Sequence, residues 1–241
     1  MKALLHPARY TTICPALLCF FCTGLAFSPA TANATVDRLN PSYMQAEEIL
    51  QECVISVKRL LADAENTRLR QRLRNAKGIM IFPSILKAGF LIGVEGGRGV
   101  MVVKRKNGNF SHPAFFEIGA VSLGAQAGLS DNEALFAIMS ERGVISIIQQ
   151  RVKLGAELSV AIGTFGAGEE TATTASLADV YSFSQSNGIF FGISIEGAYI
   201  DADTELNQAF YGRGASVAAI LGSDKYSNTM AGQLLRLLSS I

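Results

Sequence analysis

Glycine within β-forming stretches is the strongest constraint on this chain. Of 23 glycines, 21 fall between Gly78 and Gly222, and they follow no Gly-X-Y period, which excludes collagen. Many interrupt runs of β-branched and aromatic residues, where glycine weakens a strand unless a sheet bends or another backbone comes close. Gly93, Gly96, Gly97, Gly99, Gly119, Gly124, Gly163 and Gly192 are such positions. They predict an α+β fold in which a strongly curved, barrel-like antiparallel sheet carries helices packed on it. With 49% apolar and 17% charged residues, 241 residues are enough to bury one substantial core.

The first 34 residues read as an export signal. Lys2 and Arg9 form a positive start, Ile13 to Phe27 an apolar stretch, and Ala32-Asn33-Ala34 a small-residue cleavage site before Thr35. Cys14, Cys19 and Cys22 lie inside this segment, and none follows a small residue as a lipid-anchored cysteine would. The expected mature domain, 35–241, keeps Cys53 alone and so has no internal disulfide. The implied compartment is periplasmic or secreted, with the protein peripheral on a membrane.

Ile49, Leu50, Cys53, Val54, Val57, Leu60, Leu61 and Ala64 recur at helical spacing behind a capping-box start at Ser42 and Gln45. That stripe can insert into lipid or pack on the sheet. A short second helix is expected from Asn66, and then the period changes to two. Strands are predicted over 79–82, 90–94, 100–104, 113–126, 155–165, 178–184 and 189–200. Middle helices are predicted over 131–139 and 141–150, capped by Asp131 and Ser140, and later ones over 201–210 and 224–238. A weak echo relates residues 90–96 to 191–197, each ending in Glu-Gly; a single echo does not make a repeat protein.

Catalytic patterns are rejected one by one. His112 stands alone in a turn. Gly214-Ala-Ser216-Val-Ala218 approaches a nucleophile elbow, but no histidine follows it in the chain. The glycine clusters at 163–168 and 212–214 form neither a dinucleotide nor a phosphate-loop motif. Asp201-Ala-Asp203-Thr-Glu205 lacks the glycine and distal glutamate of a calcium loop, and helix capping explains it better. No enzyme, cofactor or metal is expected. Nucleic acid is set aside because the basic stretch lacks interleaved aromatics.

Charge is divided along the chain. Lys58 to Lys106 holds 12 basic and 3 acidic residues; from Asn107 onward there are 6 basic and 13 acidic. Either the basic third meets an anionic surface or the two halves neutralise one another within the fold. For the first alternative the candidate binding residues are Arg68, Arg70, Arg72, Arg74, Lys77 and Lys87, with Lys104, Arg105 and Lys106 before the Asn107-Gly108 turn signal. Each cation near an anionic membrane surface contributes about 1 kcal/mol.

Ala76-Lys77-Gly78-Ile-Met-Ile-Phe82-Pro83, Lys87-Ala88-Gly89-Phe90, Ser140-Glu-Arg-Gly143, Ser182-Phe-Ser184, Gly188-Ile-Phe190-Phe-Gly192, Ser194-Ile-Glu196-Gly197 and Asn207 with Phe210-Tyr211-Gly212 occur in the order of the SYLF domain. The chain resembles that family from about Cys53 to Leu221. The resemblance implies non-enzymatic binding of acidic phospholipids, with phosphoinositides bound by eukaryotic members, some of which also bind actin. An envelope module that docks a partner protein is the alternative. Oligomeric state is left open.

Overall fold

The computed structural model describes residues 37–62, 66–89, 92–123, 128–162, 178–186, 189–191 and 197–241. Helix α1 (Pro41–Ala62) opens the domain and α2 (Thr67–Asn75) follows. The strands are β1 (Gly78–Gly89), β2 (Ile92–Val103), β3 (Ala114–Leu123), β4 (Gly128–Ile138), β5 (Val152–Lys153), β6 (Val160–Ile162), β7 (Val180–Ser186), β8 (Ile189–Phe191) and β9 (Tyr199–Ala202). Helix α3 (Glu141–Gln149) lies between β4 and β5. The chain closes with α4 (Thr204–Tyr211), α5 (Val217–Gly222) and α6 (Gly232–Ser239).

The strands form one sheet in the order β5-β9-β3-β2-β1-β4-β7-β6, with β8 also paired to β7. It curls into a half-barrel, as the glycines predict. Pairing is antiparallel except between β6 and β7, which run parallel, so the sheet is mixed rather than purely antiparallel. The bend is built at Pro83. A central strand has no place for a residue without an N–H, and β1 slips register against both neighbours there, between Ile81 and Ser84 toward β2 and between Phe82 and Ile85 toward β4. Opposite the slip, a Cβ on Gly97 would lie 2.3 Å from the Ser84 carbonyl oxygen, and one on Gly99 2.1 Å from that of Ile81. Only glycine lets the two backbones close at that point. Gly124, Gly163 and Gly192 lie outside the described residues.

The α1 stripe is core. Ile49, Leu50, Cys53, Val54, Val57 and Leu60 are all buried, and α1 packs on β1, β2, α4 and α6. Its cap is Asn40, whose Oδ1 accepts from Ser42 N at 2.8 Å, with Pro41 as the first helical residue. Ser42 is therefore not the cap: its hydroxyl donates to Glu205 at 2.6 Å and ties α1 to α4. Asn66 sits at the α2 cap position without capping; its Nδ2 donates to the Leu60 carbonyl at 2.6 Å.

The segment predicted as a helix over 131–139 is β4, in the middle of the sheet between β1 and β7. Ala134 to Ile138 are buried without alternation, because helices and strands cover both faces there. Such a run looks the same in a buried strand and a buried helix, and ladder pairing on two sides overrides local preference. Ser140 caps α3 as expected, accepting from Gly143 N. The two strands expected over 90–94 and 100–104 are one, β2, running unbroken through its glycines. In place of one helix over 224–238 the chain forms a 3₁₀ turn at Thr229–Ala231 and then α6, while α5, before that span, is a helix the sequence reading did not predict.

Candidate functional site

The α2 arginines proposed as binding residues do not all face outward. Leu69 and Leu73 bury one side of the helix, and two neighbouring guanidinium groups turn inward with them. Arg70 donates to the Leu61 carbonyl, satisfying an orphan acceptor at the end of α1. Arg72 lies over the Tyr181 ring, 3.8 Å from its centroid. Arg68 is half-buried. Arg74, at the exposed end of the helix, donates to the main-chain oxygen of Ile241.

Beyond Arg74 the predicted cations converge. The β2–β3 connection is a tight turn with the Gly108 N–H on the Arg105 carbonyl at 2.9 Å and Gly108 at φ +85°, so the Asn-Gly signal was sound. Lys104 Nζ reaches the Arg74 carbonyl at 2.9 Å, placing a cation at the C-terminus of α2. Main-chain bonds of 2.8 Å from Lys77 N to Ile138 O and from Lys104 N to Lys77 O fix Lys77 beside them. Arg105 pairs with Asp224 and donates to the Ser223 carbonyl at 2.7 Å, holding the end of α5 against the turn.

Between these elements and α3 lies a cleft of about 840 Å³. Arg74, Lys77, Lys104, Arg105 and Lys106 line it, with one carboxylate, Glu141. Its floor is apolar: Ala76, Val103, Val144, Ile145 and Leu221. Lys77, Lys104 and Lys106 have exposed side chains, and Ile145 is 50% exposed. The cleft therefore presents cations above an apolar base, suited to an anionic amphiphile or an acidic polypeptide with apolar side chains.

Lys87 belongs elsewhere. It stands near the opposite end of β1, ten residues and about 30 Å of extended chain from Lys77, and pairs with Glu95 at 2.5 Å. Intramolecular neutralisation also takes a share of the basic third, through Arg59–Glu133 at 3.1 Å, Arg98–Asp203 at 3.0 Å and Arg105–Asp224. The apolar floor was missed from sequence. Ile145 and Leu221 come from two helices far along the chain from the basic stretch, and no sequence spacing links them to it. Ser216 caps α5, accepting from Ala219 N.

The remaining polar motifs are structural. Asp203 caps α4 through Leu206 N at 2.9 Å while it pairs with Arg98, so the Asp201–Glu205 run is a strand end and a cap. Among the described residues no three His, Cys, Asp or Glu side chains are placed to hold a metal. His112 is half-buried, and burial, with Arg105 nearby, lowers its pKa although Asp224 acts the other way. Ser111 Oγ donates to the His112 main-chain carbonyl at 3.0 Å, and among the described residues no hydrogen bond joins the imidazole to a nucleophile or a second acid–base group. The cluster over 163–168 lies outside the described residues.

Residues 119–241 match the Ysc84 family, described as Las17-binding protein actin regulators. Protein YSC84 of Saccharomyces cerevisiae is 34% identical over 172 residues, covering 70% of this chain and 36% of its own length. This chain belongs to the Ysc84 family. LAS seventeen-binding protein 3 of the same yeast is 33% identical over 172 residues, 70% of this chain and 37% of that protein. Human SH3 domain-containing YSC84-like protein 1 is 30% identical over 170 residues, 70% of this chain and 49% of its own. The chain thus spans between a third and a half of the length of these relatives. Membership confirms the SYLF resemblance read from the motifs. No helix among the described residues is long and apolar enough to cross a membrane.

Proposed function

We propose that this Ysc84-family domain is a non-enzymatic interaction module whose basic, apolar-floored cleft receives an acidic, partly apolar segment of a partner protein. The observation that carries this reading is the convergence of Arg74, Lys77, Lys104, Arg105 and Lys106 above Val144, Ile145 and Leu221. Relatives named for binding a protein, LAS seventeen, favour a polypeptide partner. Cations give attraction and steering, and the apolar floor adds affinity that salt does not screen. Substituting Lys104→Glu with Lys106→Glu is expected to weaken binding of a fluorescent Glu/Leu amphipathic peptide at least tenfold at low salt, with circular dichroism unchanged. Unaltered affinity removes the cleft from the proposal.

Ile145 favours a second reading, because a half-exposed aliphatic beside lysines also suits an acidic phospholipid with its headgroup on the cations. Flotation on vesicles containing phosphatidylglycerol separates the two. A lipid binder floats, is released by salt, and loses flotation in the same double variant. Export belongs to this proposal as well: residues 1–34 act as a cleaved signal, and the mass of the mature protein should begin at Thr35.

A further inference from the structure

The end of the sheet far from the cleft carries an uncovered apolar row. Leu129 pairs with Ala88, Ala88 with Val94, and Val94 with Val121, so four neighbouring strands place these side chains side by side on one face. Leu129 is 78% exposed, Val121 74% and Val94 60%. The adjacent row is Asp131, Leu86, Gly96 and Gly119, again by direct pairing, with Leu86 53% exposed. Leu86 also lines a groove of about 530 Å³ between α1 and the sheet, which puts both rows on the α1 face.

The rim of this face is acidic. Glu48, Glu52 and Glu117 line the groove, Asp131 lies in the second row, and the groove's one cation, Arg98, is paired to Asp203. Glu48 and Glu52 stand one helical turn apart, an arrangement that weakens an isolated helix. Burial, then Glu48 and Asp131, raise the Glu52 pKa, so these carboxylates feel one another. The floor is left open too. A Cβ on Gly96 would approach no atom closer than 3.7 Å, and one on Gly119 none closer than 3.9 Å. Unlike Gly97 and Gly99, these two glycines meet no internal steric demand; they keep a shallow trough between the aliphatic row and the carboxylates.

We propose that this face docks a cationic amphipathic segment of a partner protein, its apolar side chains on Leu86, Val94, Val121 and Leu129 and its lysines or arginines on Glu48, Glu52, Glu117 and Asp131. Charge complementarity selects the occupant. An anionic membrane is repelled by the rim, and a symmetric contact between two copies sets rim against rim. An uncovered aliphatic row of this extent marks an interaction site on a soluble domain. The proposal does not depend on the basic cleft, which lies at the other end of β1.

The test is fluorescence anisotropy with a labelled 18-residue helical peptide of leucine and lysine, on the mature domain. Val121→Ser with Leu129→Ser, Glu48→Gln with Glu52→Gln, and Gly119→Leu should each weaken binding at least tenfold. The cleft variant Lys104→Ala with Lys106→Ala should bind as the parent does. Gly119→Leu fills the trough without removing charge or core, so its loss of binding separates a shaped site from general acidity. Unchanged binding in the row variant, or equal loss in the cleft variant, overturns the proposal. It is also overturned if the row variant abolishes co-sedimentation with acidic vesicles, or abolishes a dimer seen in sedimentation velocity.

Discussion

Asn207 shows how one side chain can stand in for a strand. It is buried in α4, where its Nδ2 donates to the Phe115 carbonyl at 2.9 Å and its Oδ1 accepts from Phe115 N at 2.9 Å. The same Nδ2 also donates to the Asp203 carbonyl at 2.8 Å. The amide thus bonds both main-chain groups of a β3 residue just past the end of the β9 ladder, sharing the carbonyl with Asp203 N at 3.1 Å. Asn207→Leu keeps the volume and strands the buried Phe115 N–H, while the Phe115 carbonyl keeps the Asp203 N–H at 3.1 Å, so a loss of about 1–3 kcal/mol is expected, read as a lowered urea midpoint with an unchanged slope. Asp179 is a second hub. It accepts from Ser140 Oγ at 2.7 Å, Arg142 Nη2 at 2.6 Å and Ser159 Oγ at 2.9 Å, joining α3 to the parallel β6–β7 pair. Burial pushes its pKa upward, but the bonds from Ser140 and Ser159 and the Arg142 charge outweigh that and leave it lowered. Neither hub was legible in the sequence, since an asparagine or aspartate beside a helix reads as a cap until its distant partner is known.

Among the elements, the paired strands β1 and β2 set the curvature. Glycine in strands announced a bent sheet, and the bend is there, but the sequence did not separate glycines the fold needs from those it does not. Gly99 is needed because the Ile81 carbonyl occupies its Cβ position. Gly99→Ala must push β2 off β1 beside Phe82, and a loss of about 3 kcal/mol or more is expected, whereas Gly96→Ala should leave thermal stability nearly unchanged. Equal effects would mean the close approach relaxes freely. The α1 helix was legible because its apolar residues keep helical spacing for its whole length. β4 was not, because a run buried on both faces has no period to read. The basic stretch was half legible: its turn and lysines converge, while Arg70 and Arg72 serve a helix end and a tyrosine ring.

On the scale of the whole molecule the charge division has two outcomes at once. Among the described residues Arg59, Arg98 and Arg105 are paired with acids of the second half, which ties distant parts of the chain together, while Arg74, Lys77, Lys104 and Lys106 gather with Arg105 at one pole. The opposite pole is aliphatic and acidic, so the domain is polarised along β1. Stability should depend on pH through groups between those poles. Cys53, on the buried face of α1, is fully buried with its Sγ 3.6 Å from the Ile81 carbonyl of β1, and burial with Glu52 raises its pKa well above the ordinary 9.0. Tyr211, donating to the Pro113 carbonyl at 2.6 Å, is likewise raised by burial above 10.0. A raised folded pKa means the unfolded chain releases its proton first, so both contributions are intact below the unfolded values and decline as pH rises past them. One such group gives a slope of about 1.4 kcal/mol per pH unit. Urea midpoints should therefore be flat near pH 8, fall above about 9 through Cys53, and fall more steeply above about 10 when Tyr211 joins. Cys53→Ala should delay the decline to the tyrosine range; a variant that declines from pH 9 as the parent does would place the alkaline sensitivity elsewhere.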